Sequence, residues 1–214
     1  GIKDLNIDFD KDIDKDLAIL DGESAIFSYI IGKRKIDSFE KQIVADLKTI
    51  GYDIKSIDVK KPKRDGLGGK VISVQENHLK SYTDQLEMSQ GMYRALSLIL
   101  QFEYSIRLGL PSCILIDDIG EGLDYERSQA LIKLIVDRAE NTNLQVIMTT
   151  NDRFVMNSVD LKYWHIIGRS SGSTRFYNIK NSPDTFQTFY MMGLNNFEFF
   201  QSKYYEGINI LNEQ

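Results

Sequence analysis

Met88-Ser89-Gln90-Gly91-Met92, then Cys113-Ile114-Leu115-Ile116-Asp117-Asp118, then Gln145-Val146-Ile147-Met148-Thr149-Thr150-Asn151-Asp152: these three segments follow in that order between positions 88 and 152 and decide the fold. In the middle one, four apolar residues run into two adjacent carboxylates. That pattern predicts a buried parallel strand ending at the C-terminal edge of a sheet. Ligands of open α/β sheets sit at that edge. Two carboxylates beside a core must share a cation or a proton, because neither can stay charged and unpaired there. A metal–phosphate site would supply that partner.

The ordered triplet resembles the C-terminal half of an ABC-type ATPase head, in the branch of the RecF, SMC and OLD-type ATPases rather than the membrane transporters. The resemblance implies a fold, namely a P-loop NTPase-like α/β sheet with flanking helices. It also implies roles. Ser89 and Gly91 match the signature loop, which would contact the γ-phosphate of ATP held by an opposite subunit. Asp117 matches the Walker B aspartate that holds Mg2+. Asp118 stands where a catalytic glutamate is usual and would orient the attacking water. Asp124 matches the D-loop aspartate that couples two sites, and Asn151 stands where a switch histidine is usual. The match covers under a third of the chain. Two departures bear on rate. Asp118 is one methylene shorter than glutamate, and Asn151 donates a hydrogen bond but carries no positive charge.

An ABC head also needs G-x-x-x-x-G-K-[ST], whose backbone amides cradle phosphates. Gly68-Gly69-Lys70 is the nearest segment, but Arg64 occupies the first glycine position and Val71 follows the lysine. Gly32-Lys33 fails because Arg34 follows. The sheet is therefore expected to be incomplete, with the phosphate-loop lobe on chain preceding residue 1. Apolar surface left by that gap is expected to drive self-association. ATP hydrolysis is expected of the longer protein rather than of this chain alone.

The chain has 214 residues, a net charge of -5 and 42% hydrophobic residues, enough for one domain or slightly more with a genuine core. The negative balance argues against broad electrostatic binding to nucleic acid. One basic hairpin tip, Lys60, Lys61, Lys63 and Arg64, could still touch DNA phosphates, though a solvated turn explains it as well. The lone cysteine, Cys113, falls in the predicted buried strand, which fits a reducing, cytoplasmic setting. No apolar run reaches the ~20 residues of a membrane helix.

Three segments are expected: residues 1–80, an α+β stretch; 81–180, the ATPase lobe; and 181–214, an aromatic helical extension. Alternating acids from Asp8 to Asp16 read as a solvated edge. A calcium loop on Asp10, Asp12 and Asp14 would need glycine where Lys15 stands. Glu23 to Lys33 shows no clear period. Ser38 to Ile50 predicts a helix with Phe39, Ile43, Val44 and Leu47 on one face, stopped by Gly51. Ile54–Val59 and Val71–Val74 alternate as hairpin strands. Ser89 caps a helix to about Leu108 and Asp124 one to Glu140; Asn143 to Thr150 is a second buried strand; Asn151 or Asp152 caps a short helix. Leu161–Ile167 and Thr174–Ile179 are expected to extend the sheet. Glu121 reads as a loop carboxylate, and His78 and His165 have no companions for a metal. The Asn195-Asn196-Phe197 segment shows no chemistry. Two other function classes stay open: a non-catalytic assembly module of the same fold, and a Mg2+-dependent phosphotransfer or nuclease site at Asp117 and Asp118, which would need a third acidic ligand.

Overall fold

The computed structural model describes residues 25–63, 70–109 and 113–206. The acidic alternation at 8–16 and the hairpin tip at 64–69, including Arg64, lie outside them. Two compact units emerge. One runs to Leu115 and adds Glu121–Ile147; the other takes Ile116–Gly120 and everything from Met148 onward.

The first unit opens with a helix the sequence did not reveal, α1, Ala25–Lys35. Ala25, Ile26, Phe27, Ser28, Tyr29, Ile31 and Gly32 are all buried. A helix covered on nearly every side shows no amphipathic stripe, so no period could be read from it. Helix α2, Phe39–Thr49, follows the expected four-residue spacing and buries Phe39, Ile43 and Leu47. Gly51, at φ +90°, turns the chain out of it. Strands β1 (Ile54–Lys60), β2 (Val71–Glu76) and β3 (Thr83–Asp84) form an antiparallel sheet in that order, with Ile57 opposite Val74 and an irregularity between Ile54 and Ser56. The Tyr29 hydroxyl donates to the Ile57 carbonyl at 2.5 Å. Burial pushes that phenol up to about 12, so it stays protonated and can keep donating.

Helix α3, Gln90–Leu108, is the longest element among the described residues, with α1 and α2 packed against it. Ser89 caps its start, its side chain accepting from the Met92 N–H, and Gly109 at φ +60° closes its end. Ala95, Leu96, Ile99, Leu100 and Phe102 form its buried face, as the periodicity predicts; Met92, Leu98 and Ile106 are only half-buried. Strand β4 (Cys113–Ile116), helix α4 (Tyr125–Glu140) and strand β5 (Gln145–Met148) complete the pattern, with β4 and β5 paired in one sheet.

Here the structure corrects the sequence reading. Neither strand is buried on both faces. Leu115 is 74% exposed and Ile147 49%, and Cys113 is exposed as well. Among the described residues only Ile116 in β4 reaches the core, because nothing described covers the alternate face. An all-apolar run signals a strand meant for cover on two sides; it does not supply the second cover.

Three helices of this unit meet at one ionic cluster. Arg138 of α4 donates to both oxygens of Asp46 on α2 at 2.8 Å, and to Glu103 of α3 at 2.7 Å. Asp46 and Glu103 are both buried. Burial pushes the Asp46 carboxyl above its ordinary value, and Arg138 only partly offsets that.

In the second unit, β6 (Ile166–Ser170) and β7 (Ser173–Tyr177) form a separate two-stranded sheet turned at Gly172. They do not extend the β4–β5 sheet. Leu161–Tyr163, expected as strand, is a single 3₁₀ turn capped by Asp160. Helices α5 (Arg153–Ser158), α6 (Pro183–Met191) and α7 (Asn196–Gln201) follow. Phe186, Phe189, Phe199 and Tyr205 are buried together with Leu161 and Ile166, so aromatics of the C-terminal extension build a core. The Asn195-Asn196 pair now has a role. Asn195 caps α7 in a reciprocal box with Glu198, and the Asn196 amide donates to the Met156 and Val159 carbonyls at the end of α5. No helix among the described residues is long and apolar enough to cross a membrane.

Arg138→Met strands two buried carboxylates without their cation and should cost about 3 kcal/mol in urea unfolding at pH 7. Asp46 has a raised folded-state pKa, so its ionisation opposes folding at neutral pH and that penalty is relieved as pH falls. The deficit of the variant should therefore be smaller at pH 4.5 than at pH 7, and adding Asp46→Asn should recover part of it.

Candidate functional site

The six residues singled out from sequence fall into two groups. Ser89, Gly91 and Asp124 belong to the first unit; Asp117, Asp118 and Asn151 belong to the second.

In the first group the start of α3 rests on the loop before α4. The approach is closest at two glycines: a Cβ on Gly91 would lie 2.2 Å from the Gly122 carbonyl oxygen. Gly122 itself sits at φ +75°. Arg94, one turn into α3, pairs with Glu121 at 3.3 Å. Gly91 is thus required by backbone packing whatever else it contacts. Asp124 caps α4, its side chain accepting from the Arg127 N–H, and it is also ion-paired with the Arg127 guanidinium. The backbone N–H bond, followed by that guanidinium, holds the Asp124 carboxyl below its ordinary value. Arg127 in turn lies over the Tyr52 ring at 4.6 Å.

The second group is organised by a residue the sequence reading passed over. Thr149 follows β5 directly. Its N–H donates to the Ile116 carbonyl at 2.9 Å, and its own carbonyl accepts from the Ile119 N–H at 3.0 Å. Its hydroxyl accepts from the Asp118 N–H at 2.9 Å and donates to Asp117 Oδ1 at 2.5 Å. The two strand ends are thereby joined where both carboxylates emerge. Asp118 has φ +45°, a left-handed conformation that aspartate tolerates better than most residues. Asp117 is exposed and Asp118 half-buried. Asn151 is exposed in the loop ahead of α5; the cap of that helix is Asp152, which accepts from the Phe154 and Val155 N–H groups. A hydroxyl pair immediately after an apolar strand, Thr149-Thr150, was the available signal for this arrangement.

Among the described residues no three acidic, histidine or cysteine side chains gather as a metal cage. The third ligand that a stand-alone nuclease or phosphotransfer site would need is absent from them. A phosphate-dependent Mg2+ site asks for less, one or two carboxylates with the phosphates and water completing the shell, and Asp117 with Asp118 fits that donor set. Two of the cations named for DNA contact carry partners. Lys63 pairs with Glu87 at 2.6 Å, and Lys60 sits over the Tyr82 ring at 3.1 Å. Lys61 is exposed.

No family model matches the sequence, and no curated protein matches it. Solved structures do. An SMC head bound to the C-terminal winged-helix domain of ScpA superposes with a TM-score of 0.55 at 17% identity, over 82% of this chain and 56% of that one. A Pyrococcus furiosus Smc head domain with an extended coiled coil, bound to the C-terminal domain of ScpA, gives 0.51 at 15% identity over 78% and 41%. An SMC ATPase from work on ATP-driven dimerisation and DNA-stimulated activation gives 0.50 at 18% identity, over 71% of this chain and 88% of that one. The fold is therefore that of an ABC-type ATPase head of the SMC kind. The chain spans about half the length of two of these three structures.

Gly91→Ala should force the loop at Gly122 away from α3 and destabilise the first unit by about 2 kcal/mol, an overpacking cost readable as a lower urea midpoint. Glu121→Gln, which removes only an exposed ion pair, should shift that midpoint by less than about 1 kcal/mol.

Proposed function

We propose that this chain is the signature and hydrolysis half of an ATP-driven head, in which Mg2+–ATP closes two copies on each other. The observation that carries the reading is the Asp117-Asp118 pair held at joined strand ends in an SMC-type fold. Asp117 would hold Mg2+, and Asp118 would orient a water toward the γ-phosphate. Bound Mg2+ would supply charge neutralisation at the phosphates. The start of α3 at Ser89 presents the positive end of a 19-residue helix, suited to an anion. In the closed pair these would face the γ-phosphate held by the other copy. Asp124 would couple the sites through the loop that Gly122 seats against Gly91, and Asn151 would sense the γ-phosphate as a neutral donor. The phosphate-loop sequence does not occur in the 214 residues, and the proposal needs a cradle from outside them. DNA-related work in a cytoplasmic setting is part of the proposal, supported on the DNA side by a similar fold in a protein from work on DNA-stimulated SMC ATPases, and Lys60, Lys61, Lys63 and Arg64 are the residues proposed for DNA contact.

In the intact protein, Asp117→Ala should lower ATP turnover by about 10²-fold or more, the scale of losing electrostatic stabilisation at a phosphoryl centre. Turnover untouched by that change would refute the reading and favour the assembly module. Asp118→Asn should spare nucleotide binding and trap a Mg2+–ATP-dependent dimer in sedimentation. Calorimetry of this chain alone should show no sub-millimolar Mg2+–ATP binding. Such binding, lost in Asp117→Ala, would mean that residues within these 214 hold the phosphates.

A further inference from the structure

We infer that Thr149 is the positioning residue of the Asp117-Asp118 site: its one hydroxyl sets both the direction of the Asp117 carboxylate and the backbone conformation that aims Asp118. The inference rests on the proposed reading of Asp117 as the cation ligand, but the geometry behind it stands alone. A threonine hydroxyl has one proton to give and lone pairs to receive with. Here the proton goes to Asp117 Oδ1 and a lone pair takes the Asp118 N–H, so the hydroxyl's one proton and one of its lone pairs are committed to adjacent residues of one loop.

The second bond explains an otherwise unfavourable backbone. A non-glycine residue at φ +45° costs on the order of 1 kcal/mol or more and persists only where its surroundings hold it. The Asp118 N–H is held by Thr149 Oγ1, and the next N–H, of Ile119, by the Thr149 carbonyl. Two consecutive amides of the loop are therefore pinned by a single residue. Ile119 is fully buried, which anchors the loop on its far side. Between that anchor and the Ile116 carbonyl, itself bonded to the Thr149 N–H, the loop backbone is held on both sides of Asp118, and the Asp117 carboxylate is tied through its Oδ1.

The first bond acts on the ligand directly. A hydrogen bond from an outer group fixes the rotamer of a ligating carboxylate, and losing such a partner typically costs about 10–100-fold in metal affinity. Thr149→Val is nearly isosteric and deletes both hydroxyl bonds, while Thr149→Ser retains them. The backbone bonds of residue 149 survive in either variant, so the strand pairing is left in place.

The test uses two readouts on the full chain. Amide hydrogen exchange at Asp118, followed by NMR, reports the pin without any ligand. It should quicken at least 10-fold in Thr149→Val and stay near wild type in Thr149→Ser, with Ile119 slower to change in both. Equal protection of Asp118 in wild type and Thr149→Val overturns the inference. Mn2+ affinity, measured by water-proton relaxation with ATP present in the intact protein, reports the ligand. It should fall about 10-fold in Thr149→Val and recover in Thr149→Ser. Mn2+ binding that ignores Asp117→Ala overturns the parent reading and the ligand half of the inference, leaving the exchange result to judge the pin. Mn2+ binding that needs Asp117 but ignores Thr149→Val overturns the positioning role alone.

Discussion

Burial of helix α3 is the constraint on which the first unit depends. Ala95, Leu96 and Leu100 are wholly out of solvent, and each large aliphatic buried in this way contributes about 1.5–3 kcal/mol. Helices α1 and α2 pack against it, and Glu103 on its far turns takes the Arg138 guanidinium from α4. A helix held this firmly has a fixed start. That matters because its first turn carries Ser89 and Gly91, and an anion site made of backbone amides is only as well placed as the helix behind it. The start of α3 is held in place because its other turns are core.

The residues proposed for the signature and D-loop roles are one packed piece for the same reason. Gly91 and Gly122 touch through bare backbone, Arg94 and Glu121 bridge beside them, and Asp124 is tied to Arg127, which reaches back to the Tyr52 ring. A displacement at the start of α3 cannot leave the Asp124 loop where it was. The Asp117 and Asp118 loop draws on a different kind of support, one hydroxyl and two backbone bonds at Thr149. One support relies on steric contact and the other on directed hydrogen bonds, so they respond to different substitutions: added volume in the first, a lost hydroxyl in the second.

The two departures from the ABC pattern look different once placed. Asp118 stands at φ +45°, where a short carboxylate is better tolerated than glutamate. The missing methylene therefore suits this backbone. Asn151 leaves the capping of α5 to Asp152, so its amide has no helix-capping duty. The exposure of Leu115 and Ile147 has a comparable logic: their apolar character records a strand designed for two-sided cover, and only one side of it is met among the described residues.

The amino-acid sequence determined the elements whose cause is local. Ser89 and Asp124 had to cap helices, Phe39, Ile43 and Leu47 had to share a face, and the order of three motifs marked an ABC-type head before any coordinate was known. Only the tertiary structure decided the rest. It typed α1, whose all-round burial erases the period that would betray a helix. It left Cys113 exposed, because burial is a property of neighbours rather than of the residue. It detached the β6–β7 hairpin from the β4–β5 pair, since strand patterns do not name their partners. It gave Thr149 its place between the Asp118 amide and the Asp117 carboxylate, 31 and 32 residues away in sequence, a convergence no local pattern encodes because hydrogen-bond geometry exists only after the chain has folded.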